Sequence, residues 1–317
     1  MIYGIIAILL LAIMLVYFRI ADRFNIIDKP NQRSSHTQIT IRGGGIIFPV
    51  AALLSGIFFN AEFHIWILIA SILAISIVSF WDDISSLPNR VRIFVHLLSV
   101  TALLYATQAF AILPWWSIII TYIFIIGAIN AYNFMDGVNG ITGVYSLVIL
   151  LSCLYFNTKI TAVVDSPYII IAIIACLVFL FFNFRKKAKC FAGDVGSVSI
   201  GLWIISILLL IILATGELKY IFFMAVYGVD AILTIVHRLI LKQNIFEAHR
   251  LHFYQIMANE RKMPHLLVSG IYGILQLLVN SFILFTTYNF IITGLFVCIP
   301  LVLIYIIAKP KLMSVSS

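Results

Sequence analysis

The chain has 317 residues, of which 63% are hydrophobic and only 10% are charged, and its formal charge at neutral pH is +8. A soluble globular protein carries about 25% charged residues, so this composition excludes a water-soluble domain and indicates a membrane protein. The basic excess does not require nucleic acid as a partner, because its distribution along the chain is explained by membrane topology.

Apolar runs that are long enough to cross a bilayer recur from one end of the sequence to the other. A helix needs about 17 to 25 mostly apolar residues to span the hydrocarbon core. We therefore predict an all-α, polytopic membrane protein that forms one integral-membrane domain over residues 1–317. Its eleven predicted spans are residues 2–18, 46–60, 65–81, 93–110, 114–132, 141–157, 167–184, 197–214, 220–240, 266–285 and 291–308.

The positions of Lys and Arg predict the orientation in the membrane. If the first helix begins outside the cell, 18 of the 20 basic residues fall in cytoplasmic loops, and only Lys159 and Lys219 fall outside. Short cytoplasmic loops of membrane proteins are rich in Lys and Arg. We predict an outside N-terminus, a cytoplasmic C-terminus and a bacterial inner membrane as the location.

The first cytoplasmic loop contains D-K-P-N at residues 28–31 and ends with R-G-G-G at residues 42–45, directly before the second span. Glycine lets a backbone N–H approach a ligand closely, and the start of a helix attracts anions. Gly44 is therefore a candidate phosphate contact. A flexible turn beside membrane-anchoring cations is the alternative interpretation.

The second loop begins with two adjacent carboxylates, Asp82 and Asp83, and continues with Arg90 and Arg92. Adjacent carboxylates repel each other, which raises the pKa of one of them unless a cation lies beside the pair. The pair therefore predicts a metal site or a proton acceptor, and a solvated pair at a helix end is the alternative.

The third loop is the most informative, because amide and carboxylate side chains recur at helical spacing. Asn130, Asn133 and Asp136 are three residues apart and share one face if the preceding helix continues through them. Their oxygens are suited to a hard cation such as magnesium. Asn139 and Gly140 then predict a tight turn. A purely structural polar turn is the alternative.

The fourth and fifth loops add a carboxylate and a histidine motif. Asp194 lies within G-D-V-G-S at residues 193–197, where it either caps the next helix or binds magnesium beside a phosphate. The fifth loop contains H-R-L-H at residues 249–252, whose imidazole and guanidinium groups can donate hydrogen bonds to phosphate oxygens. Metal binding by this His pair is disfavoured, because no third nitrogen or sulfur ligand is spaced with it.

In this order, the loop motifs resemble those of the polyprenyl-phosphate N-acetylhexosamine-1-phosphate transferase superfamily, and the resemblance covers nearly the whole chain. It implies a magnesium-dependent reaction, with manganese as an alternative ion. The phosphate of undecaprenyl phosphate would attack the β-phosphorus of a UDP-N-acetylhexosamine, and UMP would leave. The H-R-L-H motif is more similar to the branch that initiates O-antigen or teichoic-acid synthesis than to the muramoyl-pentapeptide branch.

The resemblance also implies roles for single residues. Asp194 would be the main magnesium ligand, with Asn133 beside it. Asp82 and Asp83 would orient or deprotonate the lipid phosphate. The nucleotide site would include Asp136 and Asn130, and the phosphates would be held by Arg92, His249, Arg250 and His252.

Two other classes of membrane protein remain open at this point. A secondary transporter would place its ionisable residues near the middle of the bilayer on broken helices, whereas here they lie at the cytoplasmic ends of the spans. A membrane prenyltransferase also uses carboxylates and magnesium, but we would expect spaced Asp clusters repeated on two helices. The sequence does not distinguish a monomer from a homodimer, and it does not identify the amino sugar.

Overall fold

The computed structural model describes residues 1–28, 39–85, 87–245, 247 and 249–313, so residues 29–31 of the first motif lie outside the described residues. The described part is almost entirely helical, which confirms the all-α fold class. Its main helices are α1 (Ile2–Arg23), α2 (Ile47–Phe58), α3 (Phe63–Ile84), α4 (Asn89–Ala106), α5 (Ala109–Ile112), α6 (Trp115–Phe134), α7 (Ile141–Lys159), α8 (Ser166–Asn183), α9 (Gly193–Thr215), α10 (Ala225–Ile240), α11 (Phe253–Gln255), α12 (His265–Phe285) and α13 (Phe290–Met313).

The remaining regular elements are short and lie between the helices. Strands β1 (Ile27–Asp28) and β2 (Thr40–Ile41) pair antiparallel in the first loop. 3₁₀ turns precede α2 at Gly44–Ile46 and α10 at Leu218–Met224, and a π-helical turn at Ile256–Glu260 follows α11.

Nine helical segments within the described residues are long and apolar enough to cross a membrane, which confirms a multi-pass membrane protein. The other two predicted spans also coincide with helices. The segment Gly44–Phe58 is apolar but shorter than these nine, and α4 begins with the polar sequence N-R-V-R. The number of eleven spans and the orientation of the termini stay predictions.

Helix α9 lies at the centre of the fold. Every side chain from Val195 to Leu209 is buried, because α2, α3, α6 and α7 all pack against this helix. Its sequence is apolar on all sides, as expected for a helix that is surrounded by protein. A Cβ on Gly201 would lie 3.1 Å from the Tyr132 ring, so α6 also approaches α9 closely. The start of α9 therefore has a fixed position relative to its neighbours.

The apolar segment Leu218–Ile240 is interrupted where the 3₁₀ turn ends and α10 begins. Gln276 of α12 accepts a hydrogen bond from the Val226 N–H (3.0 Å) and donates one to the Phe222 carbonyl (3.1 Å). The Tyr145 hydroxyl accepts the Tyr227 N–H at 3.1 Å. Backbone groups inside a membrane must find partners within the protein. These side chains supply the partners and hold α10 against α7 and α12.

Contacts between loops bring one end of the helices together. In the first and fourth loops, the Phe191 N–H donates to the Ile41 carbonyl at 2.8 Å. In the third loop, the Gly140 N–H donates to Asn183 Oδ1 of α8 at 2.6 Å, and Gly140 has a φ of +88°. Ser269 of α12 donates to the Asn139 carbonyl at 2.7 Å. The predicted turn at Asn139-Gly140 therefore joins three parts of this end of the molecule.

Candidate functional site

The buried carboxylate of Asp83 receives the first backbone N–H groups of α9. Its Oδ1 accepts the Asp194 N–H and its Oδ2 accepts the Val195 N–H, both at 3.1 Å. The first N–H groups of a helix have no partner within the helix, and they also form its positive end. The cap of α9 therefore comes from Asp83 of α3, and the Asp194 side chain does not cap its own helix.

Arg42 lies beside both of these carboxylates. Its Nε is 2.9 Å from Asp83 Oδ1, and its Nη2 is 3.9 Å from Asp194 Oδ1. Burial is the largest single influence and lowers the pKa of Arg42, but the combined attraction of Asp83, Asp194 and Asp28 outweighs it and raises the pKa of this guanidinium. The Tyr17 hydroxyl donates to the Arg42 carbonyl at 2.6 Å and fixes the backbone there. This role of Arg42 was not predicted from the sequence, because an Arg in a cytoplasmic loop is also an ordinary topology signal.

The glycines that follow Arg42 allow two backbone segments to approach each other. The Gly44 N–H donates to the Phe191 carbonyl (2.8 Å), and the Gly45 N–H donates to the Ala192 carbonyl (3.0 Å). A Cβ on Gly45 would lie 2.1 Å from the Gly196 Cα. The Gly44 N–H is thus already used, which corrects the predicted phosphate contact: this glycine packs the first loop against the start of α9.

Asp82 and Asp83 point to different neighbours. Asp82 Oδ2 lies 3.0 Å from Arg92 Nη1, and Asp82 Oδ1 accepts the Leu87 N–H at 2.8 Å. The Asp82 side chain is 13% exposed and that of Asp83 is fully buried. Each carboxylate therefore has its own cation, and the two do not present a shared pair of oxygens to one metal ion.

The side chain of Asn133 meets the first turn of α9. The Ser197 hydroxyl donates to Asn133 Oδ1 at 2.8 Å, and the Asn133 amide lies beside the Asp194 carboxylate. The amide of Asn130 instead donates to the Ile126 carbonyl of its own helix at 2.9 Å. Helix α6 ends at Phe134, so the helical face predicted for Asn130 and Asn133 does not continue to Asp136.

Asp136 nevertheless belongs to the same electrostatic environment. Burial raises the pKa of the Asp136 carboxyl to about 7, and repulsion from Asp194 and Asp83 raises it further. A hydrogen bond from the Thr142 hydroxyl acts in the opposite direction. The hydrogen bond from Thr142 Oγ1 to Asp136 Oδ1 is 2.6 Å long. A carboxyl with this pKa changes its charge near neutral pH when a cation or a phosphate arrives.

The fifth loop reaches the third loop through Tyr254, whose hydroxyl donates to the Phe134 carbonyl at 2.9 Å. His252 is only 3% exposed, and its Nδ1 lies 3.5 Å from Asp230 Oδ1. Burial and the nearby positive charges of His252 and Arg238 lower the pKa of His249 to about 4. His249 is therefore neutral at neutral pH.

Within the described ranges, no group of three or more His, Cys, Asp or Glu residues is arranged to hold a metal ion. Magnesium in phosphoryl-transfer enzymes commonly uses one or two carboxylates, with water and substrate phosphate as its other ligands. The Asp194 side chain is 24% exposed and has the Asn133 amide beside it. These residues fit that smaller donor set.

A family model matches the part of the chain that contains several of these residues. Residues 65–212 match the family model described as glycosyl transferase family 4. This segment extends from α3 into α9, and it contains Asp82, Asp83, Asn133, Asp136 and Asp194.

Three relatives illustrate the similarity. The probable undecaprenyl-phosphate N-acetylglucosaminyl 1-phosphate transferase of Bacillus subtilis is 28% identical over 74% of this chain and 70% of its own length. The undecaprenyl-phosphate alpha-N-acetylglucosaminyl 1-phosphate transferase of Yersinia pestis is 26% identical over 63% of this chain and 59% of its own length. A phospho-N-acetylmuramoyl-pentapeptide-transferase of Fervidobacterium nodosum is 24% identical over 62% of this chain and 66% of its own length. The chain thus spans less than two thirds of the last two relatives.

Replacing Arg42 tests the electrostatic centre of the site. Arg42→Gln leaves Asp83 and Asp194 without their shared cation, so we expect a lower thermal unfolding temperature in magnesium-free detergent solution and partial recovery in excess magnesium. Arg90→Gln is the matched control, because Arg90 is an exposed arginine at the start of α4. An equal response of both variants to magnesium would contradict this assignment.

The raised pKa of Asp136 predicts a pH-dependent stability. The folded protein retains a proton on Asp136 that the unfolded chain releases near pH 4, so this residue stabilises the fold at low pH and loses that contribution as the pH rises through about 7. In the absence of magnesium, the unfolding temperature of Asp136→Asn should therefore decrease less between pH 5 and pH 8 than that of the wild type. Parallel pH curves for the wild type and the variant would show that the Asp136 pKa is not raised.

Proposed function

We propose that the chain is a member of glycosyl transferase family 4 that transfers an N-acetylhexosamine 1-phosphate from a UDP-sugar to undecaprenyl phosphate. The match of residues 65–212 and the similarity to sugar-1-phosphate transferases support the predicted superfamily and the predicted class of enzyme, a phosphotransferase. The observation that carries the proposal is the meeting of Asp83, Arg42, Asp194 and Asn133 at the start of α9. The names of the relatives from Bacillus subtilis and Yersinia pestis support N-acetylglucosamine as the sugar.

The proposed reaction exchanges one diphosphate bond for another. An oxygen of the lipid phosphate forms a bond to the β-phosphorus of the UDP-sugar, the bond from that phosphorus to the bridging oxygen breaks, and UMP leaves with that oxygen. Phosphoryl transfer requires mainly positioning and neutralisation of negative charge. A magnesium ion held by Asp194 and Asn133 would supply a Lewis acid for the phosphate oxygens.

The cationic side chains around the start of α9 fit the task of holding phosphates. Arg42 contacts the Asp83 carboxylate and Arg92 contacts the Asp82 carboxylate. In the fifth loop, His252 lies against the third loop, and Arg250 is half-buried two residues before it. These residues would orient the diphosphate of the nucleotide and stabilise the charge that moves to UMP.

The structure favours a positioning role for Asp82 and Asp83 over a role as general base. Both carboxylates already accept backbone N–H groups and lie within ion-pair distance of an Arg. A phosphate monoester has a second pKa near ~6, so the lipid phosphate is largely dianionic at neutral pH without a base. The nucleophile therefore needs orientation rather than deprotonation.

An apolar cavity supports a long isoprenoid chain as part of the acceptor. The cavity has a volume of about 550 Å³ and lies between α6, the second half of α9 and the 3₁₀ turn before α10. Its lining is apolar and includes Trp116, Phe124, Leu208 and Ile221. It opens along the same helix, α6, whose other end carries Asn133. An isoprenoid tail in the bilayer can follow this helix while its phosphate stays at the polar end.

We further propose that the site faces the cytoplasm of a bacterial cell and that the product starts a cell-surface glycan such as O-antigen or teichoic acid. The cytoplasmic side is supported by the 18 basic residues in loops at that end of the spans. The compact fifth loop and its H-R-L-H motif favour a simple UDP-N-acetylhexosamine over a peptide-bearing donor.

A donor panel tests the proposed function directly. Purified protein in detergent would be incubated with undecaprenyl phosphate, magnesium and a series of radiolabelled UDP-N-acetylhexosamines. We expect transfer of label to the lipid with stoichiometric release of UMP. Release of inorganic diphosphate from a prenyl substrate would instead support a prenyltransferase. Flux into vesicles without any chemical product would support a transporter.

Within the same assay, Asp194→Asn should reduce turnover more than Asp82→Asn. Asp194 is the proposed metal ligand, whereas Asp82 contacts Arg92 and the Leu87 N–H. We expect a loss on the order of 100-fold or more for Asp194→Asn, and a smaller loss for Asp82→Asn. The metal-ligand assignment would be wrong if the Asp194→Asn variant kept near wild-type activity at saturating magnesium.

A further inference from the structure

Asp230 is a buried carboxylate in α10, and the sequence did not predict a role for it. It is 3% exposed, and its oxygens are held by three donors. The Tyr272 hydroxyl donates to Oδ2 at 2.6 Å, and the Phe253 N–H and the Thr234 hydroxyl donate to Oδ1 at 2.9 and 3.2 Å. An ionisable residue within a membrane segment is costly and therefore usually functional. These donors prevent the carboxylate from rotating.

His252 is the ionisable side chain that lies against this carboxylate. Its Nδ1 is 3.5 Å from Asp230 Oδ1, and its ring stacks on the Tyr254 ring with centroids 5.9 Å apart. Both ring nitrogens are buried and have no hydrogen-bond partner among the residues that the structure describes, so the 3.5 Å approach of Nδ1 to Asp230 is an ion-pair distance and Nε2 is left as an orphan. Burying a polar atom without a partner costs about 1–3 kcal/mol, so an orphan of this kind indicates that a ligand supplies the missing partner.

The surroundings of His252 place this orphan nitrogen at the edge of the candidate site. The His252 ring lies 6.3 Å from the ring of Phe134, which directly follows Asn133. Tyr254 binds the Phe134 carbonyl and also touches the next turn, since a Cβ on Gly137 would lie 2.2 Å from the Tyr254 hydroxyl. His252 is therefore packed against the loop that carries the proposed metal ligand Asn133 and the nucleotide-site residue Asp136.

We propose that Asp230 is a positioning residue that acts through His252: it holds the Nδ1–H and directs Nε2–H toward a phosphate oxygen of the nucleotide. This inference rests on the proposed function. A positively charged imidazole donor forms a stronger hydrogen bond to phosphate than a neutral one. A carboxylate that fixes the opposite nitrogen of a functional His is a recurrent arrangement in enzymes.

The arrangement also assigns different roles to the two histidines of the motif. The His249 ring centroid lies 4.9 Å from that of His252, and the His249 Nδ1 accepts the Leu251 N–H at 3.3 Å. The structure gives His249 a hydrogen bond that shapes the loop, whereas His252 has the carboxylate partner and the free nitrogen. Asp230 therefore explains why only the second histidine of H-R-L-H is oriented for phosphate.

A double-mutant cycle tests this inference. The affinity for UDP would be measured calorimetrically in excess magnesium, and kcat/KM for the UDP-sugar in the transfer assay, for the wild type, Asp230→Asn, His252→Gln and the double variant. Loss of a carboxylate that orients a functional His typically reduces affinity or activity about 10- to 100-fold. We expect a loss in this range for each single variant, and a double variant that is no worse than His252→Gln alone.

Two further variants separate positioning from a structural role. Tyr272→Phe removes another donor from the same carboxylate without touching His252, and it should destabilise the protein while largely retaining UDP affinity. If Asp230→Asn does not fold, Asp230→Glu keeps the buried charge but displaces it, and the same non-additivity with His252→Gln is expected.

The outcomes distinguish this inference from the proposed function. An active wild type in which the effects of Asp230→Asn and His252→Gln multiply would overturn the positioning role alone. A wild type that neither binds UDP nor transfers sugar phosphate would overturn the proposed function, and the inference with it, since His252 would then have no phosphate to hold.

Discussion

The structure depends on one buried carboxylate, that of Asp83, and on the charges that surround it. Asp83 receives the first N–H groups of α9 and contacts the Arg42 guanidinium, so α3, the first loop and the central helix meet at this residue. Without Arg42, the fully buried Asp83 carboxylate would keep only backbone N–H groups as partners, and an uncompensated buried charge is destabilising. The contact therefore fixes where the functional side chains lie.

The position of α9 turns this local contact into a site. The helix is buried along most of its length, and its N-terminal end is polar where the rest is apolar. Asp194 and Ser197 project from its first turn toward Asn133, while the glycines of the first loop pack against Gly196. A rigid helix with a positive end, a partly exposed carboxylate and nearby guanidinium groups is well suited to hold a metal ion together with phosphate. The fold and the proposed chemistry thus use the same residues.

Much of this arrangement could be predicted from the sequence, and the remainder has identifiable physical reasons. Long apolar runs with polar loops at one end gave the architecture, and carboxylates and amides in those loops indicated Asp194, Asn133 and Asp136. Arg42 was not recognised, because a loop Arg beside a membrane is explained equally well by topology. The role of Gly44 was predicted incorrectly, because the sequence does not show which backbone carbonyl a glycine N–H will meet. Asp230 was overlooked as a partner of His252, because the two are separated by 22 positions and one of them lies inside an apolar segment.

The central claim is that the start of α9 is the place where the metal ion and the nucleotide phosphates bind. A cryo-EM reconstruction of the protein with UDP and magnesium tests it most directly. We expect density for an ion about 2.0–2.1 Å from an Asp194 carboxylate oxygen, with the diphosphate between the first turn of α9 and His252. Nucleotide density at the opposite end of α9, near Thr215, would contradict it.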